Sequence, residues 1–407
     1  MKRILIVGGG AAGLAAALSA AKANPSAQIT VLEGLDRVGK KLLATGNGRC
    51  NLTNADITPA HYHSSQPEAL ARLVSAMPTD KTLSFFASLG LYCAEEEQGR
   101  IYPYSRQASM VVDVLLLALE RSHVKVACGS RVSAIRRDET GFRVRTEAGT
   151  DYGGDTVILT AGGRAAPKQG TDGSGYGLAK RLGHRYAPLF PCLVPLTCDA
   201  PHWKGLKGVR AQGRVTLLHD GQAVAAETGE LQFTEYGLSG IPVFQLSCHL
   251  GADPKGYWLS VDLLPGGEED ALVRLMRERC SRFPETPLED FLLGLIHKRL
   301  LYAVMKTAGV GPLSRPAGSL SPEELTELAR GMKGWLLPVT GTLGWAQAQV
   351  TGGGVLLSEV DERFASKRCP GLYLAGEMLD AVGDCGGYNL HWAWCSGMTA
   401  GEAAAGI

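Results

Sequence analysis

The stretch that most constrains this chain is its amino terminus, where a glycine-spaced turn sits between a strand pattern and a helix pattern. Ile4-Leu5-Ile6-Val7 is continuously apolar and mostly β-branched, the signature of a buried parallel strand. Gly8-x-Gly10-x-x-Gly13 follows at once, and an Ala- and Leu-rich helical run from Leu14 to Ala23 is stopped by Asn24-Pro25. Ile29-Thr30-Val31-Leu32 reads as a second strand ending on Glu33, about 20 residues beyond Gly13, as a dinucleotide fingerprint requires. Gly8 permits the tight turn, Gly10 lets the backbone approach a pyrophosphate, and Gly13 lets helix and strand pack closely. Ala11 and Ala12 complete the first helical turn, whose free N–H groups face the phosphates, while Glu33 accepts from the adenosine ribose. The turn alone does not separate NAD from FAD. Beyond Glu33, however, the chain runs through Gly39-Lys40-Lys41 into a polar loop, Leu42 to Asn54, which suits the longer cofactor, so FAD is favoured.

The rest of the sequence sets limits. A length of 407 residues implies two or three domains. With 41 basic and 40 acidic side chains the formal charge is +1, which argues against nucleic acid or an anionic membrane as partner. No apolar run is long enough to span a bilayer, and glycines 8, 9, 10 and 13 interrupt what would be the apolar core of a signal peptide after Met1-Lys2-Arg3. The ten cysteines contain no C-x-x-C pair, so they read as reduced thiols of a cytoplasmic protein, not as a redox dithiol, zinc or iron–sulfur ligand set. His61-Tyr62-His63 has no acid or cysteine at ligand spacing, and no metal site is expected.

The run Gly39-Lys40-Lys41-Leu42-Leu43-Ala44-Thr45-Gly46-Asn47-Gly48-Arg49-Cys50-Asn51-Leu52-Thr53-Asn54 resembles the signature of a bacterial family of FAD-dependent flavoproteins that includes an aminoacetone oxidase and a reductase of dehydro-bile acids. Gly99-Arg100-Ile101-Tyr102-Pro103, Thr160-Ala161-Gly162-Gly163, Asp172-Gly173-Ser174-Gly175-Tyr176, Gly237-Leu238-Ser239-Gly240 and Val350 to Val355 are similar to further family segments. Gly376-Glu377-Met378-Leu379-Asp380 and Gly386-Gly387-Tyr388-Asn389-Leu390 are the most specific, although His391 stands where the family usually has Gln. The resemblance implies an α/β fold: a Rossmann-like FAD-binding domain of glutathione-reductase type, interrupted by an inserted antiparallel β unit and a small helical unit. The cofactor domain is then discontinuous, residues 1–190 with 338–407, around a β domain at 191–265 and a helical domain at 266–337. The patterns agree, with short alternating segments from about Pro191 and three helical stretches, Glu268–Phe283, Leu288–Ala308 and Ser321–Gly331.

The resemblance also places residues at a non-covalently bound FAD. Lys40 and Lys41 divide between phosphate contact and an exposed face. Arg49, Cys50 and Asn51 come from the early loop, Val132 is set toward adenine, and Ala161, Gly162 and Gly163 let the backbone crowd the cofactor. Gly376 and Glu377 meet the ribityl and pyrophosphate region, and Gly387, Tyr388, Asn389 and Leu390 lie along the flavin at a helix N-terminus. Reduction of an activated C=C bond needs a proton as well as a hydride, and His391, Tyr388 and Arg49 are the candidate catalytic residues. The favoured reading is a reductase of an enone in a hydrophobic organic substrate, with NAD(P)H docking transiently as reductant. Alternatives are an amine or aminoketone oxidase that releases peroxide, and a flavoprotein whose helical insert, carrying Lys298, Arg299 and Lys306, binds a protein or RNA.

Overall fold

A computed structural model describes residues 1–199, 203 and 205–406, and divides them into two compact units, Met1–Pro191 with Ala348–Ile407 and Cys192–Gln347. In the first unit, β1 (Arg3–Val7), α1 (Ala11–Ala23) and β2 (Gln28–Leu32) form the predicted strand–turn–helix–strand. The central sheet is wholly parallel, in the order Leu372–Leu374, Thr156–Leu159, β1, β2, Lys125–Ala127. Its middle strands are buried on both faces, which is why Ile4, Ile6, Val31, Ile158 and Leu159 are apolar without alternation. A separate antiparallel meander covers Val132–Asp138, Gly141–Thr146 and Asp151–Gly154.

The long C-terminal helix Tyr388–Ala405 packs along α1. Their backbones touch: a Cβ on Gly397 would lie 2.3 Å from the Ala12 carbonyl oxygen, and one on Gly401 would lie 2.2 Å from that of Ala16. Glycine is therefore a requirement of helix contact at both positions, and the last helix is fixed against the first.

The second unit is a closed antiparallel barrel, in the order Leu196–Cys198, Gly237–Ser239, Gln222–Phe233, Arg210–His219, Tyr257–Asp262, Trp335–Thr342 and back to the first. Helices Glu269–Arg282, Lys298–Thr307 and Pro322–Lys333 share one apolar core with it, including Leu259, Met276, Leu301, Leu328 and Trp335. Two expectations are corrected here. The helices are not a domain of their own, because they and the barrel bury the same core. The cofactor domain does not resume at 338, because Trp335–Thr342 closes the barrel, Leu259 pairing with Leu337 and Cys198 with Val339. The helical stretch 288–308 is also broken. Only Lys298–Thr307 is α-helical, since Gly294 adopts a left-handed φ of 85° and the His297 ring accepts from the Arg299 N–H to start the helix afresh. By contrast, Ser321 and Glu324 form the capping box that their spacing announces.

The cysteines are not all thiols: Cys192 and Cys248, 56 residues apart, are joined as a disulfide with a Cα–Cα distance of 5.1 Å. The strand end at Cys192 and the helix end at Cys248 meet in the fold, which spacing along the chain does not reveal. None of the described helices is long and apolar enough to cross a membrane.

Gly397→Val is expected to destabilise the protein by about 1–3 kcal/mol, because the atom it meets is a backbone oxygen of a packed helix. Gly177→Ala, at an exposed interior position of helix Ser174–Arg181 with open space around it, is expected to stabilise by about 0.5–1 kcal/mol. Urea unfolding curves measure both; equal midpoints for the two variants would contradict this packing.

Candidate functional site

The start of α1 and the end of β2 converge on one carboxylate. Glu33 accepts from the Gly9 N–H through Oε2 at 2.7 Å and from the Leu35 N–H through Oε1 at 2.8 Å. Two backbone donors thus fix its orientation, and its remaining lone pairs can accept hydroxyls. Gly129 and Ser130 hydrogen-bond the carbonyls of Leu35 and Glu33, which brings the segment leading to Val132 alongside this acid. A Cβ on Gly10, the N-cap of α1, would meet nothing within 4 Å, so there is open space where the helix N-terminus points.

The charged candidates near this turn are held by the protein itself. Lys41 pairs with Glu377 at 2.7 Å, and Glu377 also accepts from the Thr351 N–H and hydroxyl at 3.1 Å. Thr351 Oγ1 in turn accepts from the N–H groups of Arg164 at 2.7 Å and Ala165 at 3.0 Å. Gly163 belongs to this knot, since a Cβ there would lie 2.2 Å from Thr351 Oγ1. Lys41 is therefore neither a dedicated phosphate ligand nor a solvated face. It ties the helix Lys40–Ala44 to the Gly376–Met378 turn, while Lys40, the first residue of that helix, is half-buried. Sequence reasoning passed over Thr351, whose role depends on three segments far apart in the chain. Ala161 and Gly162 lie just before this knot, beyond the end of Thr156–Leu159, and Gly376 donates its N–H to Ser396 Oγ at 3.0 Å.

Around the last helix the predicted residues separate into two groups. Asn51 presents a buried Oδ1 that has no hydrogen-bond partner, and this oxygen lies 2.9 Å from where a Cβ on Gly387 would be. Gly387 is the left-handed N-cap of the helix. An orphaned acceptor beside an open helix N-terminus fits the imide edge of an isoalloxazine, which carries an N–H between two carbonyls. With the glycine turn and Glu33 suited to an ADP moiety, the residues present fit FAD.

The second group serves the protein instead. Asn389 folds back, accepting from Gly383 N–H at 2.9 Å and donating to the Gly383 carbonyl at 2.6 Å. It staples a turn and does not face a cofactor. Leu390 is partly buried against the main core. Cys50 is fully buried, and burial pushes its thiol up to about 12, which makes it a packing residue. Arg49 pairs with Glu96 at 3.3 Å, reaches Tyr102 Oη at 3.3 Å and stacks on the Tyr102 ring. Its guanidinium is neutralised, against the expected catalytic role. Tyr388 stacks on His61 with ring centroids 4.5 Å apart, and burial raises its phenol to about 12, so it is a poor proton donor.

His391 is the clearest correction. It is wholly buried, its Nε2 donates to the Met77 carbonyl at 2.9 Å, and its Nδ1 faces the hydroxyls of Thr53 at 2.8 Å and Thr82 at 3.1 Å. Burial drives its pKa down to about 4. A neutral imidazole with both nitrogens occupied delivers no proton to a substrate. Its place four residues after the Gly387 N-cap suggested catalysis; the helix turns that position toward the core.

A family model described as HI0933-like protein Rossmann domain matches residues 2–403. The 3-dehydro-bile acid delta(4,6)-reductase of Clostridium scindens is 41% identical over 409 residues, covering 100% of this chain and 99% of that protein. The ribosomal RNA dihydrouridine synthase of Escherichia coli K12 is 29% identical over 396 residues, covering 96% and 95%. Among solved structures, the 3-ketosteroid-delta4-(5alpha)-dehydrogenase from Rhodococcus jostii RHA1 superposes with a TM-score of 0.51 at 17% identity, covering 100% of this chain and 97% of that one. The 3-ketosteroid delta1-dehydrogenase from Sterolibacterium denitrificans gives 0.51 at 14% identity and covers 100% of both. At those identities the two steroid enzymes show a shared fold.

The depressed His391 pKa has a consequence for stability. The unfolded imidazole takes its proton near 6.5 and the folded one only near 4, so stability is complete above 6.5 and declines as pH falls toward 4. The loss is about 3 kcal/mol over that window. His391→Gln retains one donor and one acceptor but does not titrate, so urea unfolding at neutral pH and near pH 4.5 should show a shallower acid loss than the parent. An unchanged acid loss would mean that His391 is not buried neutral.

Proposed function

The chain belongs to the HI0933-like Rossmann-domain family and is an FAD-dependent oxidoreductase, and from that premise we propose that it reduces a carbon–carbon double bond conjugated to a carbonyl in a hydrophobic organic substrate. The observation that carries this reading is the end-to-end 41% identity with a reductase of 3-dehydro bile acids. The second relative's name points to the same bond chemistry, since dihydrouridine is uridine whose ring C=C next to a carbonyl has been saturated. The two names differ in the molecule that carries the bond, not in the bond.

A small molecule is favoured over RNA. The net charge of +1 gives no basic footprint. Of the cations on the helical insert, Lys298 pairs with Asp290 at 2.7 Å and Glu289 at 3.6 Å, and Arg299 donates to the carbonyls of Gly205 and Lys207.

Bound FAD, once reduced, supplies the hydride; the chain's own residues bind it and handle the proton. Gly10 to Gly13 and Glu33 would hold the ADP half, and Asn51 with the N–H groups after Gly387 would hold the imide edge. The Lys41–Glu377–Thr351 knot keeps the Gly376 turn against α1. We assign reduction of the flavin to a nicotinamide that docks without a mononucleotide fold of its own. In support, Val350–Val355 leads into a short 3-10 turn at Leu357–Glu359, so the glycines at 352 to 354 do not open a helix of their own. Nicotinamide reductants are held in the cytoplasm, and the proposal carries that location with it.

Under anaerobic conditions NADH or NADPH should bleach the yellow protein, and a 3-oxo steroid with a Δ4 double bond should restore the colour while being saturated. Colour that returns only with oxygen, with peroxide released and the enone untouched, would overturn the reductase reading in favour of an oxidase.

A further inference from the structure

The two histidines set aside for want of an acid acquire one from the other end of the chain. Tyr62–His63 pairs antiparallel with Val382–Gly383, and the next residue, Asp384, donates its backbone N–H to the His61 carbonyl at 2.9 Å. The Asp384 carboxylate then lies between both rings: Oδ2 is 3.2 Å from His61 Nδ1, and Oδ1 is 2.8 Å from His63 Nε2. On its far side His61 Nε2 lies 3.3 Å from Asp56, whose side chain is 68% exposed. Four titratable groups thus form one hydrogen-bonded row, with Asp56 at its solvent-exposed end.

That row abuts the Gly387 turn. The His61 ring lies on Tyr388, the first residue of the C-terminal helix, and Asn389 staples Gly383 to that helix. Asn54 donates to the Gly386 carbonyl at 3.0 Å, and the orphaned Asn51 oxygen sits across the turn. Among the described residues no three His, Cys, Asp or Glu side chains are grouped as metal ligands, and here each carboxylate oxygen already faces an imidazole.

We propose that His61, Asp384 and His63 form the proton relay of the reduction, with Asp384 as the positioning residue that orients both imidazoles. This rests on the enone-reductase reading. When a hydride and its electron pair have been added to the β-carbon, the former π pair resides on the α-carbon and the carbonyl oxygen. A relay imidazolium gives one proton to the α-carbon, forming its C–H bond and becoming a neutral imidazole, and a proton from water at the Asp56 end restores it. Tyr388, Tyr62, Arg100 and Cys395 are further titratable groups near the row; burial holds both phenols protonated, so neither supplies the proton.

Two measurements test it. In ¹⁵N-histidine spectra of the holoprotein, the nitrogens that face Asp384, Nδ1 of His61 and Nε2 of His63, should both carry a proton, and Asp384→Asn should shift both resonances. In single turnovers of dithionite-reduced holoprotein with 4-androstene-3,17-dione, Asp384→Asn and His61→Gln should slow flavin reoxidation by about 100-fold. Dithionite reduction and melting temperature should be unchanged, and added imidazole should partly rescue His61→Ala. Variants that reoxidise within about twofold of the parent, or a His61→Ala defect that imidazole does not relieve, would overturn the relay. If the parent itself is not reoxidised by the enone, the reaction reading fails. The relay of that reduction then falls with it, whereas a parent that is reoxidised no faster than its variants overturns the relay alone.

Discussion

Contact between the backbones of the first and last helices is the constraint on which the site depends. Gly397 and Gly401 let the C-terminal helix rest on the Ala12 and Ala16 carbonyls, and through that contact residues 376–391 are held beside residues 8–13. A Cβ at either position would push the helices apart, and the two halves of the FAD cradle with them. The Lys41–Glu377 pair and the Ser396 hydroxyl on the Gly376 N–H reinforce the same approach.

Charge plays a mostly internal part here. Lys41, Arg49 and Lys298 each face a carboxylate of the same chain, and Glu33 is held by two backbone N–H groups. On the proposed reading, recognition of the cofactor falls to backbone donors, a helix N-terminus and single oriented oxygens, which keep their strength at moderate ionic strength better than exposed charges do.

What could be read from the sequence was local. The turn between β1 and α1, the acid ending β2 and the capping box at Ser321 are each specified by residues within a few turns of one another, and all three stand where their spacing predicts. What could not be read depends on strand closure or on the facing of a helix. Trp335–Thr342 belongs to the barrel because its partners, 257–262 and 196–198, would each present an unpaired edge without it. His391 looked catalytic because it follows the glycine turn, yet the helix points it at Thr53, Thr82 and Met77. His61 and His63 looked partnerless because their acid, Asp384, is more than three hundred residues away in sequence.

Binding of cofactor fragments to protein stripped of flavin tests the central claim most directly: that the glycine turn and Glu33 hold the ADP half while the Gly387 turn and Asn51 receive the ring. FAD should bind with quenching of its fluorescence, ADP should compete with it, and FMN, which lacks the adenosine that Glu33 addresses, should bind far more weakly. FMN binding as tightly as FAD, with ADP without effect, would contradict it.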